Sequence, residues 1–443
     1  MKHSPLVRQI FAPLALLLAI ACGGNGNSPA ARSSPSPSAS ASASAASPSA
    51  SASPASNLIT GTLIGQGYTD VSPHQVVRTS SNVLYVIAPT CNSYPSCPAN
   101  SLPVYAGNQP GIPTSFTQVD DTQQAAGAND SIGSSAIAID GNDLVWVAWY
   151  QRGYGGTTYI DSFDTRTNAW GTITVLQTNN GYPDFSQGTE GVAVAVDAAN
   201  TAHVVWTGAD SSGTLHTYYA NSTSGFSAPF QVDDYTLAPN HGAIHPALAF
   251  APDGSLVVAW LDGYGNYLEP PNGTIHVRTR TPSGSWNASV EINDQAMTSI
   301  DQGPSLLVTS DGTRHIAFNN GSDIVRYWYS SDGATWQGNE QPSTTQVIQN
   351  PSLGPDGTGG IYLYGPGPPT PTIQSDGLNL YRYHKAAGST AWGPWTQYVS
   401  GDYDSSVSTR WAQFHQNFPA QVDAVYWSPV TATSPNYLYL WEN

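Results

Sequence analysis

The chain has 443 residues, of which 10% are charged and 11% aromatic, with 42 Gly and 34 Pro; so few helix formers beside so many turn formers argue against a helical protein. Lys and Arg number 13 against 30 Asp and Glu, a formal charge of -17, and no basic cluster offsets it, so nucleic acid is not an expected partner. The 40% of apolar residues suffice for a core if they recur at strand spacing.

At the amino terminus, Lys2 and Arg8 precede an apolar run from Ile10 to Ala21. That run is too short for a stable bilayer span but fits the hydrophobic region of a secretory signal. It ends in Ala19-Ile20-Ala21-Cys22-Gly23, which resembles the bacterial lipobox. The resemblance implies a signal peptide over 1–21, lipidation of Cys22, a membrane anchor, and a location at the bacterial surface or in the periplasm. Cleavage there removes two basic residues and no acids, taking the formal charge from -17 to -19.

Residues 22–57 are almost wholly Ser, Ala, Pro, Gly and Asn. With nothing large and apolar to bury, they cannot offset their ordering entropy and read as a solvated tether, holding the next domain on the order of 30 Å from the membrane. Beyond Cys22 the only cysteines are Cys91 and Cys97. In an oxidising compartment they are expected to form a local disulfide that pins a surface loop.

Residues 58–443 repeat one unit. Leu58 to Ile64 reads as a lone strand, and a weak copy follows with Val76-Val77 and Leu84 to Ile87. Fuller copies start near Ser131, Gly188, Pro246, Gln302 and Asn350. The clearest runs Pro246 to Gly254, Ser255 to Trp260, Thr274 to Thr281 and Val290 to Asp294, four apolar or alternating strands bounded by turn residues. The last copy, from Ser406, shows three strands, Val407 to Phe414, Val422 to Trp427 and Tyr437 to Trp441. A four-stranded unit repeated at about 45 to 60 residues predicts an all-β fold, a single β-propeller. Seven blades are expected, or six if the weak copy is a decoration, with the lone amino-terminal strand completing the last blade and closing the ring.

The turn Ser330-Ser-Asp-Gly-Ala-Thr-Trp336 resembles the Asp-box, or BNR repeat, of sialidase-like propellers. Degenerate versions stand at Asn221 to Phe226, Pro282 to Trp286 and Asp164 to Trp170. In such turns Asp332 is expected to accept backbone N–H groups and Trp336 to pack between sheets, with Ser330, Gly333 and Thr335 shaping the bend, so these are structural residues. The sialidase resemblance would imply three arginines on a substrate carboxylate and an Arg-Ile-Pro signature. No Arg-Ile-Pro occurs, and Arg278, Arg280, Arg326 and Arg382 fall on third strands, away from the axis.

Function in a propeller gathers where inner strands begin and where second strands run into third ones. Candidate catalytic or ligand-binding residues there are His74, Glu190, His241, His245, Asp301, Arg410, Arg152 and Tyr264. His203 and His315 occupy equivalent places in two copies and read as structural. Asp140, Asp197, Asp253, Asp311 and Asp356 read as turn residues on the opposite face. Tyr, Trp, amides and carboxylates suit sugars, which offer CH faces and paired hydroxyls. Three readings stay open: a glycan-binding module, a carbohydrate-active enzyme (a glycosidase with paired carboxylates, or a lyase using His and Tyr), and a protein-interaction scaffold. No cofactor and no obligatory metal are expected, since no calcium motif appears, and a monomer is the expected state.

Overall fold

The computed structural model describes residues 62–66, 75–87, 90–91, 99–120, 132–151, 156–178, 191–238, 241–264, 273–297, 303–319, 324–343, 346, 348, 351–367, 378–402, 407–409, 422–429 and 435–442. They form antiparallel sheets, with a single 3-10 turn at Ser222–Ser224. Six sheets have four strands, and a seventh has its outer strand broken into Ala169–Trp170 and Thr174–Thr178. A two-stranded ribbon, Thr90–Cys91 with Ala99–Ser101, is inserted into the first. The inner strands, Val76–Arg78, Ile132–Ile139, Val192–Val196, His241–Phe250, Ser305–Val308, Ser352–Pro355 and Val407–Thr409, open blades 1 to 7. Each lies beside the next in chain order, and blade 7 returns to blade 1 through its second strand, Val422–Pro429. The result is a closed β-propeller.

Alternation along the inner strands shows why the ring forms. In blade 3, Val192, Val194 and Val196 join a core with Ala136 and Ala138 of blade 2. Ala193 and Ala195, pointing the other way, join a core with Ala247 and Leu248 of blade 4. Such a strand buries both faces, so it needs a sheet on either side. The second strands repeat this: Trp149, Trp206 and Trp260 are fully buried and pair across to Tyr159, Tyr218 and His276 on the third strands. These tryptophans are therefore internal packing, out of reach of any ligand.

Closure has two devices. Thr62–Gln66 pairs with Pro435–Glu442 and supplies the outer strand of blade 7, so the two ends of the domain share one sheet. Across the seam between blades 7 and 1, the buried Arg78 guanidinium donates to Asp423 from Nε at 2.6 Å and Nη2 at 2.5 Å. Its Nη1 donates to the Asn82 and Gly111 carbonyl oxygens at 3.0 and 2.7 Å. Elsewhere, Lys385 of blade 6 bonds Glu340 of blade 5 at 2.6 and 2.8 Å beneath the rings of Tyr327, Tyr329 and Trp392. Arg280 lies over Tyr219 in the same way between blades 4 and 3.

Candidate functional site

One face of the ring, here the upper face, holds the starts of the inner strands and the turns from second to third strands. On it, the seam between blades 3 and 4 concentrates titratable side chains. Blade 4's inner strand begins at His241, and its second strand, Leu256–Tyr264, comes up beside it, placing Asp262 opposite Ala243. His241 Nδ1 lies 2.7 Å from Asp262 Oδ1. The other carboxylate oxygen is 3.8 Å from His276 Nε2, so one aspartate faces two imidazoles.

His276 stands where blades 2 and 3 carry Tyr159 and Tyr218. Its ring stacks 4.1 Å from that of Tyr235 and lies beside that of Trp260, its cross-strand neighbour, at 5.8 Å. Burial lowers its affinity for a proton in spite of Asp262. Tyr235 accepts a bond from Trp260 Nε1 at 3.0 Å, and burial next to Asp262 pushes its phenol far above the usual range, so it stays protonated.

Blade 3 adds a second pair across the seam. His216 Nδ1 lies 2.6 Å from Asp233 Oδ2 and its Nε2 is 3.7 Å from Asp210. The bond to Asp233 raises the imidazole above its ordinary value, outweighing burial. The two pairs are held together by backbone fit: Thr217 Oγ1 donates to the Ala243 carbonyl at 3.0 Å, and a Cβ on Gly242 would lie 2.7 Å from Leu215 Cβ.

Four residues into the same inner strand, the ladder breaks at a bulge between Ile244 and Ala247. His245 sits in it with φ +52°, a left-handed backbone that the following Pro246 disfavours further. The conformation is fixed from both sides. His245 N donates to Thr207 Oγ1 of blade 3 at 3.1 Å. A Cβ on Gly191 would come within 2.6 Å of His245 Cα, and one on Gly303 would clash with the His245 carbonyl oxygen and Cβ. Two glycines from the neighbouring blades thus leave the only room in which this histidine fits.

Of the sequence candidates, the structure sets His241 against Asp262 and places His245 further along the same strand. Tyr264 ends the second strand of blade 4. His74, Glu190, Asp301, Arg410 and Arg152, with Cys22 and Cys97, lie outside the described residues. Cys91 closes the first strand of the ribbon, and no disulfide occurs among the described residues. The Ser330 to Trp336 turn joins the third and outer strands of blade 5: Asp332 Oδ1 accepts the Ala334 and Thr335 N–H groups at 2.9 and 2.7 Å, which hold its carboxyl well below the usual range. Ser330 Oγ accepts the Gly333 N–H, and Trp336 packs half-buried against the core of blades 3 to 6. Sequence reasoning missed His216, Asp233, Tyr235 and His276. Alignment of the repeats would have flagged His276, because it replaces a tyrosine.

His203 bonds Tyr219 at 2.8 Å and Asp197 at 3.2 Å, and His315 bonds Tyr327 at 2.7 Å and Thr309 at 3.0 Å; both are structural pins. Asp140, Asp197, Asp253, Asp311 and Asp356 each accept backbone N–H groups in the lower turns. Among the described residues, no three His, Cys, Asp or Glu side chains are grouped to hold a metal ion.

No protein-family model matches the sequence, and no curated protein matches it. Solved structures match its fold. The BP39L lectin from Burkholderia pseudomallei is 11% identical, with a TM-score of 0.59 over 85% of this chain and 98% of the lectin. A PL25 ulvan lyase bound to -[GlcA(1-4)Rha3S]- is 10% identical, with a TM-score of 0.57 over 85% of this chain and 94% of the lyase. At such identities the likeness is one of fold.

Proposed function

We propose that the upper face of the propeller binds glycan, in a protein that is exported and anchored to a bacterial membrane through Cys22. The observation that carries the binding reading is the His241–Asp262 pair, only partly buried at the mouth of blade 4, on the inner strand that also carries the strained His245. A carboxylate that fixes the orientation of an imidazole makes a rigid polar pair, as recognition of a sugar hydroxyl requires. The fold supports the reading: it carries a lectin in one neighbour and a polysaccharide lyase in another. The sialidase-like affiliation rests on the Ser330 to Trp336 turn and carries no claim of sialidase activity.

Glycan cleavage is the second reading, and the same pair favours it, since a carboxylate-oriented imidazole is the arrangement of a general base. One experiment separates the two. The full-length protein is applied to a glycan array, and the retained glycans are then incubated with it and examined by mass spectrometry. Retention without new products supports binding alone; products with an unsaturated end, or with an added water, establish lyase or hydrolase chemistry. His241→Ala should weaken retention about tenfold, the value of one hydrogen bond to a charge-paired group. Equal retention by the variant would remove His241 from the site.

A further inference from the structure

Three of the 13 basic residues, Lys2, Arg8 and Arg32, precede residue 58, which leaves ten in the propeller against all 30 acidic residues. Eight of the ten are placed by the structure; none stands at the start of an inner strand, and only Arg326, the second residue of blade 5's third strand and the counterpart of His276, comes close to a turn from a second to a third strand. Arg78, Lys385 and Arg280 are the inter-blade latches described above. Arg278 donates to the Asn287 carbonyl at 2.6 Å and faces Asp234 at 3.3 Å on the rim. Arg382 lies 4.4 Å over the Tyr362 ring, and Arg326 is likewise partnered on a third strand. Arg166 pairs with Asp164 in a lower turn, and Arg314 donates to the Gly312 carbonyl at 3.3 Å, also below.

Carboxylates stand on both faces: Asp140, Asp197, Asp253, Asp311 and Asp356 hold the lower turns. Asp210, Asp233 and Asp262 all stand on the upper face, and the imidazoles beside them are already engaged by those same aspartates. A uronate or sulfate group brought to this face would be desolvated against carboxylates. Among the described residues the one cation near this face is Arg326, which is already partnered. A sugar without charge meets no such cost, and the paired aspartates and histidines supply acceptors and donors for its hydroxyls.

On the glycan-binding reading, on which this rests, we infer that the face takes uncharged glycans and rejects uronate and sulfated polymers. The PL25 lyase is bound to a glucuronate-containing, sulfated glycan; this chain shares that fold with the opposite charge preference. The test applies the full-length protein to neutral, uronate and sulfated oligosaccharides of matched length, at about 50 and about 500 mM NaCl, conditions that shorten the screening length from over 10 Å to a few Å. Neutral probes should be retained with affinity unchanged within about twofold. Uronate and sulfated probes should bind at least about tenfold more weakly, and more tightly at high salt, because screening relieves like-charge repulsion. Preferred retention of a uronate or sulfated probe, weakening with salt and lost in Arg152→Gln or Arg410→Gln, would overturn the charge inference and leave the glycan reading standing. Retention of no probe of any charge would overturn the glycan reading and this inference with it.

Discussion

Asp423→Asn isolates the electrostatic latch of the ring. The substitution keeps the shape of the side chain and removes the carboxylate that pairs with Arg78, whose guanidinium is fully buried and spans blades 1 and 7. Nη1 keeps its carbonyl acceptors on Asn82 and Gly111, but Nε and Nη2 exchange two charge-assisted bonds for at most one amide oxygen. Breaking a buried pair from one side costs about 3–5 kcal/mol, chiefly because the remaining charge stays buried. In a domain of this size each kcal/mol lowers the melting temperature by about 1–2 °C. Differential scanning calorimetry should therefore show a fall of roughly 3–10 °C. Arg78→Met combined with Asp423→Leu should recover most of it, since neither residue then leaves an uncompensated charge. A single variant melting with the wild type, or a double variant no better than the single one, would refute the reasoning.

Three further outcomes follow from the same geometry. His315 is pushed down to about 4 by burial, so below its ordinary value the unfolded chain takes a proton that the folded one refuses. Stability should then fall by up to roughly 3 kcal/mol between about pH 6.5 and about pH 4, and urea midpoints of His315→Gln should show a flatter decline over that window. His216 has the opposite sign: its raised affinity stabilises the fold below the ordinary histidine value and is lost as pH rises through the folded value, and His216→Gln should abolish that increment. Gly303→Ala places a Cβ against the His245 carbonyl oxygen and Cβ and should cost about 1–3 kcal/mol of overpacking; if its denaturation midpoint and glycan retention both match the wild type, His245 is not held as described.

The repeat made the fold legible. Apolar runs such as Val192 to Val196 and Leu256 to Trp260 announce strands buried on both faces, and the mismatch between a three-stranded last unit and a lone Leu58 to Ile64 strand correctly implied closure, seen as Thr62–Gln66 pairing with Pro435–Glu442. The weak first copy, which left six or seven blades open, is a complete blade whose repeat is obscured by the ribbon inserted between Leu84–Ile87 and Val104–Gly107. The turn aspartates were legible because their partners lie within four residues. The candidate site was legible only in its positions. His241 and His245 were expected at the start of an inner strand, but the pairing with Asp262, 21 residues on, depends on strand register. The Tyr235, Trp260 and His276 stack joins a connecting segment to two strands of the next blade. Arg78 and Asp423 are 345 residues apart, and no local pattern encodes a contact that exists only once the ring closes.

The central claim is that the upper face, through His241 and Asp262, binds glycan. The most direct measurement is isothermal titration of the full-length protein and of Asp262→Asn with the glycan best retained on the array. The account predicts saturable binding by the wild type and a loss of about tenfold or more in the variant, at an unchanged melting temperature. Equal affinity of the two proteins would place the ligand elsewhere, and no binding by either would contradict the account.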